Sequence, residues 1–149
     1  DFVVTVLIVK ENSVLLVRHR KLGLWLPIGG HIDDGEHPEE ALEREIQEEC
    51  GLEVDLVAER FEEVNWKEVK AMPIPFQVQV EHIDGKHEHV DLIYAAKWIS
   101  GEAKLADKEH QDIRWFSLDE IEGDNSGHIS PDIKFLAKKA VEIVKQGRG

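Results

Sequence analysis

The 149-residue sequence has few of the residues that mark a disulfide-bonded or membrane-spanning protein. Its one cysteine, Cys50, cannot form an internal disulfide, which excludes a disulfide-stapled secreted scaffold. The longest apolar run, Phe2 to Val9, is too short to cross a bilayer, and no basic segment typical of a signal peptide precedes it. These features predict a cytoplasmic protein that does not bind membranes.

Basic residues are also scarce, because 18 Lys and Arg stand against 31 Asp and Glu and give a formal net charge of −13. Phosphate backbones attract Lys and Arg, so this balance argues against general nucleic-acid binding. Aromatic residues make up only 7%, but apolar residues make up 42%, which is enough for a sizeable core. We therefore expect one acidic globular domain over residues 1–149.

The hydrophobic pattern predicts a mostly hairpin-connected sheet with two main helices. The predicted strands are Phe2–Lys10, Val14–Arg18, Phe76–Ile83, Val90–Trp98 and Ile113–Phe116, with a further strand or pair within Leu52–Val64. The predicted helices are Pro38–Cys50 and Asp132–Lys145, with a capped helical turn over Ser117–Glu122. Pro and Gly in residues 23–30 favour a loop with at most a short strand. The predicted class is α+β, with a mixed sheet.

Negative charge is concentrated in one segment, because nine of the 31 acidic residues lie within residues 30–52. On a helical wheel of about 100° per residue, Glu49 lies at the edge of the apolar stripe, and Glu45 and Glu48 share its arc. We expect no base within that arc. Like charges at these spacings repel, and a half-buried unpaired carboxylate is unfavourable. A divalent cation would resolve this conflict, whereas the alternative is a solvated helix face.

The same segment resembles the Nudix box at every specified position. The matching residues are Gly30, Glu36, Arg44-Glu45-Ile46, Glu48-Glu49 and Gly51-Leu52. The resemblance implies a Nudix-type (MutT-like) α/β/α sandwich and a hydrolase that requires Mg²⁺, with Mn²⁺ as an alternative ion. It also implies the reaction, in which a metal-activated water attacks phosphorus in the diphosphate linkage of a nucleoside diphosphate derivative or a nucleoside triphosphate. Relatives are often dimers, so a homodimer is a further expectation.

Roles for individual residues follow from the same resemblance. Glu45, Glu48 and Glu49 correspond to the metal-binding acids, and Glu36 corresponds to a supporting acid that is a further candidate ligand. Arg44 is similar to the arginine that orients the helix glutamates. The carbonyl of Gly29 or Gly30 is expected to be another ligand, although Pro27-Ile28-Gly29-Gly30 departs from the Pro-Gly-Gly of many relatives.

Many family members supply one more acid, as a metal ligand or general base, from a loop near a late strand that contains Trp. Glu109 is the first candidate here and Asp112 the second, and either could instead be a solvated loop acid. The only dense basic run in the chain contains Arg18 and Arg20, which could bind substrate phosphates or form surface ion pairs. Trp66, in a predicted loop, is a candidate for stacking on a base.

Other residues have weaker functional interpretations. Trp25 and Tyr94 could stack on a base, but aromatic side chains are more often in the core, and Trp98 and Trp115 are expected there. Cys50 is expected to be inert. The sequence also places His87, His89 and Asp91 on one face of a strand, which could contact zinc or substrate but is more typical of an exposed hairpin.

Two rival functions remain open at this point. One is a Nudix-fold module that binds a nucleotide without cleaving it, and the other is a carboxylate-rich cation-binding domain with no nucleotide substrate. An intact set of box acids favours the enzyme over the binding module. Oxidised nucleoside triphosphates, ordinary nucleoside triphosphates, nucleotide sugars and ADP-ribose are all open as substrates.

Overall fold

The computed structural model describes residues 1–64, 66–105 and 110–147. Its strands are β1 (Phe2–Lys10), β2 (Ser13–His19), β3 (Trp25–Leu26), β4 (Ile28–His31), β5 (Glu53–Val57), β6 (Gln77–His82), β7 (Glu88–Ser100) and β8 (His110–Ser117). Its helices are α1 (Pro38–Glu49), α2 (Leu118–Gly123) and α3 (Pro131–Lys145). None of the described helices has the length and apolar character that crossing a membrane requires.

The strands form one mixed sheet with β1 near its centre. β1 runs parallel to β7, antiparallel to β4 through its first half, and antiparallel to β2 at its end. The outer strands β5 and β6 pair with β7, and β3 and β8 pair with β2. The hairpins β1–β2 and β6–β7 confirm the predicted connections, and the parallel β1–β7 pair makes the sheet mixed.

Helices cover both faces of this sheet. Successive side chains of a strand point to opposite faces, so Leu7 belongs to the core layer that contains α3, and Val6 belongs to the layer that contains α1. Both side chains are fully buried. The predicted α+β class and its α/β/α sandwich are therefore confirmed.

Local signals fix both ends of α1. His37 accepts a hydrogen bond from the Glu40 backbone, and the Glu40 carboxylate accepts one from the His37 backbone, which together form a capping box before Pro38. Gly51 follows the helix with φ +67°, a conformation that glycine adopts without the steric penalty of a β-carbon. The predicted helix Pro38–Cys50 is confirmed to within one residue.

The glycine-rich stretch differs from the prediction of a loop. Residues 25–31 contain two short strands, and β4 pairs with β1 over four residues. The pairing is close, because a β-carbon built on Gly29 would lie 2.4 Å from the Val4 carbonyl oxygen. Glycine therefore permits this pairing, and the segment is part of the sheet.

Three other expectations need adjustment. Of residues 52–64, only Glu53–Val57 forms a strand, and β8 begins at His110 rather than at Ile113. Trp98 and Trp115 are half-buried, which differs from the prediction that they lie in the core. The Lys10 ammonium lies 4.2 Å from the centroid of the Trp98 ring and 5.6 Å from that of Trp115. The alkyl stem and charge of a lysine can cover an indole that faces solvent.

Candidate active site

The C-terminal half of α1 lies against β4, so the helix acids meet the glycine pair of that strand. A β-carbon built on Gly30 would lie 2.5 Å from Glu45 Oε1, which is closer than real β-carbon contacts. The Glu45 side chain is only 12% exposed. Glycine at position 30 therefore leaves the space that this carboxylate occupies over the backbone.

Glu49 is buried at the edge of the apolar stripe, with 4% of the residue exposed. Its Oε2 accepts a hydrogen bond from the Gly29 backbone N–H at 3.0 Å, and its Oε1 lies 3.6 Å from His110 Nε2. Burial of a carboxylate is tolerated when hydrogen bonds or charges compensate it. The two oxygens of the Glu49 carboxylate thus face different strands, Oε2 facing β4 and Oε1 facing β8.

Arg44 links the acids of the box to one another. Its Nη1 donates to Glu45 Oε1 at 2.7 Å and to Glu48 Oε2 at 3.2 Å, and its Nη2 donates to the His31 carbonyl at 2.9 Å. Its Nε donates to Glu36 Oε2 at 2.8 Å. Arg44 lies outside the arc of the helix acids, but its long side chain carries the guanidinium across to Glu45 and Glu48, so these carboxylates are not unpaired. The orienting role that the box resemblance implies for Arg44 stays a prediction, which this geometry supports.

Glu36 uses both oxygens of its carboxylate to bind Arg44. Both of its carboxylate oxygens accept hydrogen bonds from Arg44, and Oε1 also accepts one from the Asp33 backbone N–H. These donors hold the pKa of Glu36 at about 2, and Glu36 in turn raises the pKa of Arg44. The geometry supports a positioning role for Glu36, and its role as a direct metal ligand stays a prediction.

The donor set of the box suits a hard divalent cation. The candidate ligands are the carboxylates of Glu45, Glu48 and Glu49 and the carbonyl of Gly30, all of which are oxygen donors of the kind that Mg²⁺ prefers. Arg44 engages one oxygen of Glu45 and one of Glu48, so each of these carboxylates retains a second oxygen. The box acids would have to draw closer around an ion, since they do not bring three carboxylate oxygens within 4.8 Å of one another.

The candidate acids outside the box stay predictions. Glu109 lies outside the described residues. Asp112 is exposed on β8, and its Oδ1 accepts a hydrogen bond from the Ile113 backbone N–H at 2.8 Å. The start of β8 does reach the box, because His110 faces Glu49.

The two candidate arginines lie in different surroundings. Arg20 Nη2 donates to the His110 carbonyl at 3.4 Å, so this side chain lies near the acid site. Arg18 is half-buried, and its guanidinium carbon lies 5.8 Å from the ring centroid of Trp25, in the core layer that contains α3. Arg18 Nε is buried without a hydrogen-bond partner among the described residues. The structure therefore brings Arg20, but not Arg18, to the backbone beside Glu49.

The candidate aromatic residues separate by exposure. Trp66 is 59% exposed, as a residue that stacks on a substrate base would need to be, and its binding role stays a prediction. Trp25 is 7% exposed and Tyr94 is 2% exposed, so both are core residues that cannot stack on a base. The Tyr94 hydroxyl donates to the Pro73 carbonyl at 3.0 Å, which satisfies its polar end.

His110 is the residue of this site that the sequence did not reveal. It is 7% exposed, faces Glu49, and packs edge-to-face against the His19 ring with 5.9 Å between centroids. No spacing rule marks a single histidine ahead of a strand. Only the pairing of β8 with β2 brings His110 to the box.

A cleft of about 590 Å³ lies beside the loop that carries Glu36. Its lining is partly apolar and does not include the three helix acids. The lining residues are Asp1, Phe2, His31, Ile32, Asp34, Glu36, Pro38 and Leu92.

Comparison with known proteins agrees with this geometry. The family model of the NUDIX domain matches residues 2–138. The chain belongs to the Nudix family. The family assignment that the box predicted is thereby confirmed, and the match covers nearly the whole chain.

The chain is similar to relatives of known sequence and to solved structures. The chain is 30% identical over 118 residues to the NAD-capped RNA hydrolase NudC of Pseudomonas aeruginosa, which covers 78% of this chain and 36% of that protein. A Nudix-family hydrolase from Clostridium perfringens superposes with a TM-score of 0.82 and 32% identity, covering 96% of this chain and 97% of that one. A MutT Nudix hydrolase from Burkholderia pseudomallei gives a TM-score of 0.65 and 25% identity, with 92% and 95% covered. The chain thus spans little more than a third of the length of the NudC relatives.

Proposed function

We propose that this chain is a Mg²⁺-dependent diphosphatase that cleaves the phosphoanhydride bond of a small nucleotide or nucleotide derivative. One observation carries the proposal: the carboxylates of two helix glutamates contact the backbone of the glycine pair of β4. Glu45 occupies the space over Gly30, and Glu49 accepts the Gly29 backbone N–H. A solvated helix face would not need acids in these two positions.

In this proposal the chain's residues hold the cation and fix the geometry around it. Glu45, Glu48 and Glu49 are the ligands, with the Gly30 carbonyl, and Mn²⁺ can replace Mg²⁺. When bound, the divalent cation neutralises charge on the diphosphate and lowers the pKa of a bound water. Arg44 keeps the carboxylates of Glu45 and Glu48 in place.

Two further roles complete the proposal around β8. Arg20, which donates to the His110 carbonyl, is positioned to bind a substrate phosphate as its guanidinium turns from that oxygen. Glu109 or Asp112 would supply the additional acid as ligand or base. Arg18 and Trp66 stay second candidates for contact with substrate.

The substrate class follows from charge and from the relatives together. A net charge of −13 favours a small substrate over a long polyanion, since only a metal-loaded site attracts phosphate on such a surface. The NudC relatives are named for NAD-capped RNA, whose cap carries a diphosphate between two nucleosides. We infer a nucleoside diphosphate linked to another group as the first class to test. A homodimer, a cytoplasmic location and the lack of general nucleic-acid binding also stay predictions.

The test is a panel assay with Mg²⁺ and with Mn²⁺ that identifies each product. The panel contains NAD, ADP-ribose, a nucleotide sugar, an ordinary and an oxidised deoxynucleoside triphosphate, and NAD-capped RNA. Glu49→Gln and Glu48→Gln should each lower kcat about a hundredfold or more, which is the scale for losing one preorganised charge at a reacting centre. The matched control is Glu43→Gln, an exposed neighbour on α1, which should keep full activity.

Each other outcome points to one of the rivals. Unchanged turnover in Glu48→Gln and Glu49→Gln would show that the assigned acids are wrong. If no panel member is cleaved but one raises the Tm, the chain is a nucleotide-binding module. If no panel member is cleaved, and Mg²⁺ raises the Tm but no nucleotide raises it further, the chain is a cation-binding domain.

A further inference from the structure

Three metal-ligating side chains meet where β1 begins. Asp1 precedes β1, His31 ends β4, and His89 lies near the start of β7, and each offers one donor atom within 4.8 Å of the other two. β4, β1 and β7 are neighbours in the sheet, and the Asp1 carbonyl accepts the Val90 backbone N–H at 2.8 Å. The sheet register therefore holds the three side chains together.

The three side chains contact one another only through a loose ion pair and a ring contact, with no hydrogen bond among them. His31 Nε2 lies 3.7 Å from Asp1 Oδ2, beyond hydrogen-bond distance. The rings of His31 and His89 stand edge-to-face with 5.0 Å between centroids. Within the described part of the chain, neither ring makes a hydrogen bond, so its nitrogens are available to a ligand.

The chemistry of this cluster differs from that of the box. Two imidazoles and one carboxylate suit Zn²⁺ and similar late transition-metal ions, whereas Mg²⁺ prefers oxygen donors. Glu81 pairs with His89 across β6 and β7 and adds negative charge next to the site.

We propose that Asp1, His31 and His89 form a Zn²⁺ site, separate from the Mg²⁺ site of the box. The ion would join β4, β1 and β7 at one end of the sheet. It would also fix His31, whose carbonyl accepts a hydrogen bond from Arg44 at 2.9 Å. Zn²⁺ binding would therefore stabilise the start of the loop that leads to Glu36.

The experiment is a Zn²⁺ titration of the tag-free chain in excess Mg²⁺, followed by calorimetry and by Tm. We expect one tightly bound Zn²⁺ and a higher Tm in the parent. His89→Ala should weaken Zn²⁺ binding at least about tenfold, because it removes a direct ligand, and should abolish the rise in Tm. The visible absorption of bound Co²⁺, which reports nitrogen ligation and low coordination number, should disappear in the same variant.

Two controls make the result specific. His82→Ala removes an exposed histidine of β6 whose Nδ1 lies 2.9 Å from Glu88, and it should keep the parent affinity for Zn²⁺. Glu48→Gln alters the box and should also keep the parent affinity for Zn²⁺. The test of the Zn²⁺ site therefore does not depend on the proposed hydrolysis. The proposal is overturned if the parent binds no Zn²⁺, if His89→Ala binds it as tightly, or if Glu48→Gln abolishes binding.

Discussion

Two groups of acids in this protein have opposite electrostatic states. In the box, Glu36 accepts hydrogen bonds from Arg44, and its pKa falls to about 2. On the paired strands β6 and β7, Asp91 is 4% exposed, and burial together with a hydrogen bond to Glu81 raises its pKa from 3.8 to about 8. Thr5 is the hydroxyl partner of Asp91, with 2.8 and 2.9 Å to its two carboxylate oxygens.

The difference lies in the available base and not in the number of acids. Arg44 forms ion pairs with Glu36, Glu45 and Glu48, so these carboxylates share one cation. Asp91 has the Thr5 hydroxyl as its partner in place of a base, so burial and the neighbouring Glu81 raise the pKa of Asp91. The presence or absence of a neighbouring base therefore separates Glu36, which is ionised at neutral pH, from Asp91, which is protonated there.

The largest expected effect, a loss of kcat, comes from displacing the Glu45 carboxylate from its position against β4. Gly30→Ala places a methyl group 2.5 Å from Glu45 Oε1, so the carboxylate must move away from β4. A displacement of about 1 Å at a reacting centre can lower the rate about a hundredfold, and we expect a loss of this size in kcat with little change in Tm. Activity on the best panel substrate is the measurement.

The matched control is Gly85→Ala, at a position where an added β-carbon meets no atom within 4 Å. This variant should keep the parent activity. Full activity in Gly30→Ala would show that the close packing of Glu45 against β4 is not needed for the reaction.

A smaller effect is expected from the protonated carboxyl of Asp91. The folded protein holds a proton at Asp91 between pH 3.8 and about pH 8, which the unfolded chain releases, so this group lowers stability as pH rises through that window. Asp91→Asn mimics the protonated form at every pH. Its free energy of unfolding should exceed that of the parent at pH 8 by at least about 1.4 kcal/mol, the value of one pKa unit, and should match the parent near pH 4.

Urea unfolding from pH 4 to pH 8 measures this difference. Asp55→Asn, on the exposed side of β5, removes the same charge and should give no such pH dependence. If Asp91→Asn follows the parent at all pH values, the pKa of Asp91 is not raised in the folded protein.

The smallest expected effect has the opposite sign. Because the folded pKa of Glu36 is depressed to about 2, its ionised form contributes stability above about pH 4.5, and this contribution is lost as pH falls toward 2. The stability of the parent relative to Glu36→Gln should therefore shrink over that range. The effect is modest because Arg44 keeps Glu45 and Glu48 as partners.

Urea midpoints in EDTA, with and without added salt, provide this measurement. Salt should reduce the difference between parent and variant at pH 5, since it screens the Arg44 ion pairs. A constant difference from pH 5 to pH 2 would contradict the depressed pKa of Glu36.

Much of this site could be predicted because its information is local. The spacing of the box located Glu45 and Glu49 on one side of a helix whose ends, at His37 and Gly51, are also locally encoded. The sheet strands followed from apolar runs in the same way. The match to the family model shows that the family assignment made from the box holds for residues 2–138.

The rest depends on contacts between distant segments. A short glycine-containing strand such as β4 has no hydrophobic pattern, so only its pairing with β1 reveals it. The burial of Asp91 and His110 depends on strand register, which the sequence does not state. The helical wheel alone does not show the contacts of Arg44 with Glu45 and Glu48, because it places α-carbons and not the ends of long side chains. Only the box resemblance pointed to them.

The position of β1 has a consequence for how the chain folds. β1 pairs with β2 and β4, both within the first 31 residues, so this half of the sheet and the helix that follows require only short loops to close. The parallel β1–β7 pair, in contrast, joins segments as far apart as Thr5 and Asp91, which are separated by 86 residues. Long-range pairing of this kind is slow. The edge of β1 that pairs with β7 therefore stays unpaired until β7 has been synthesised, whereas β2 and β4 are available to its other edge much earlier.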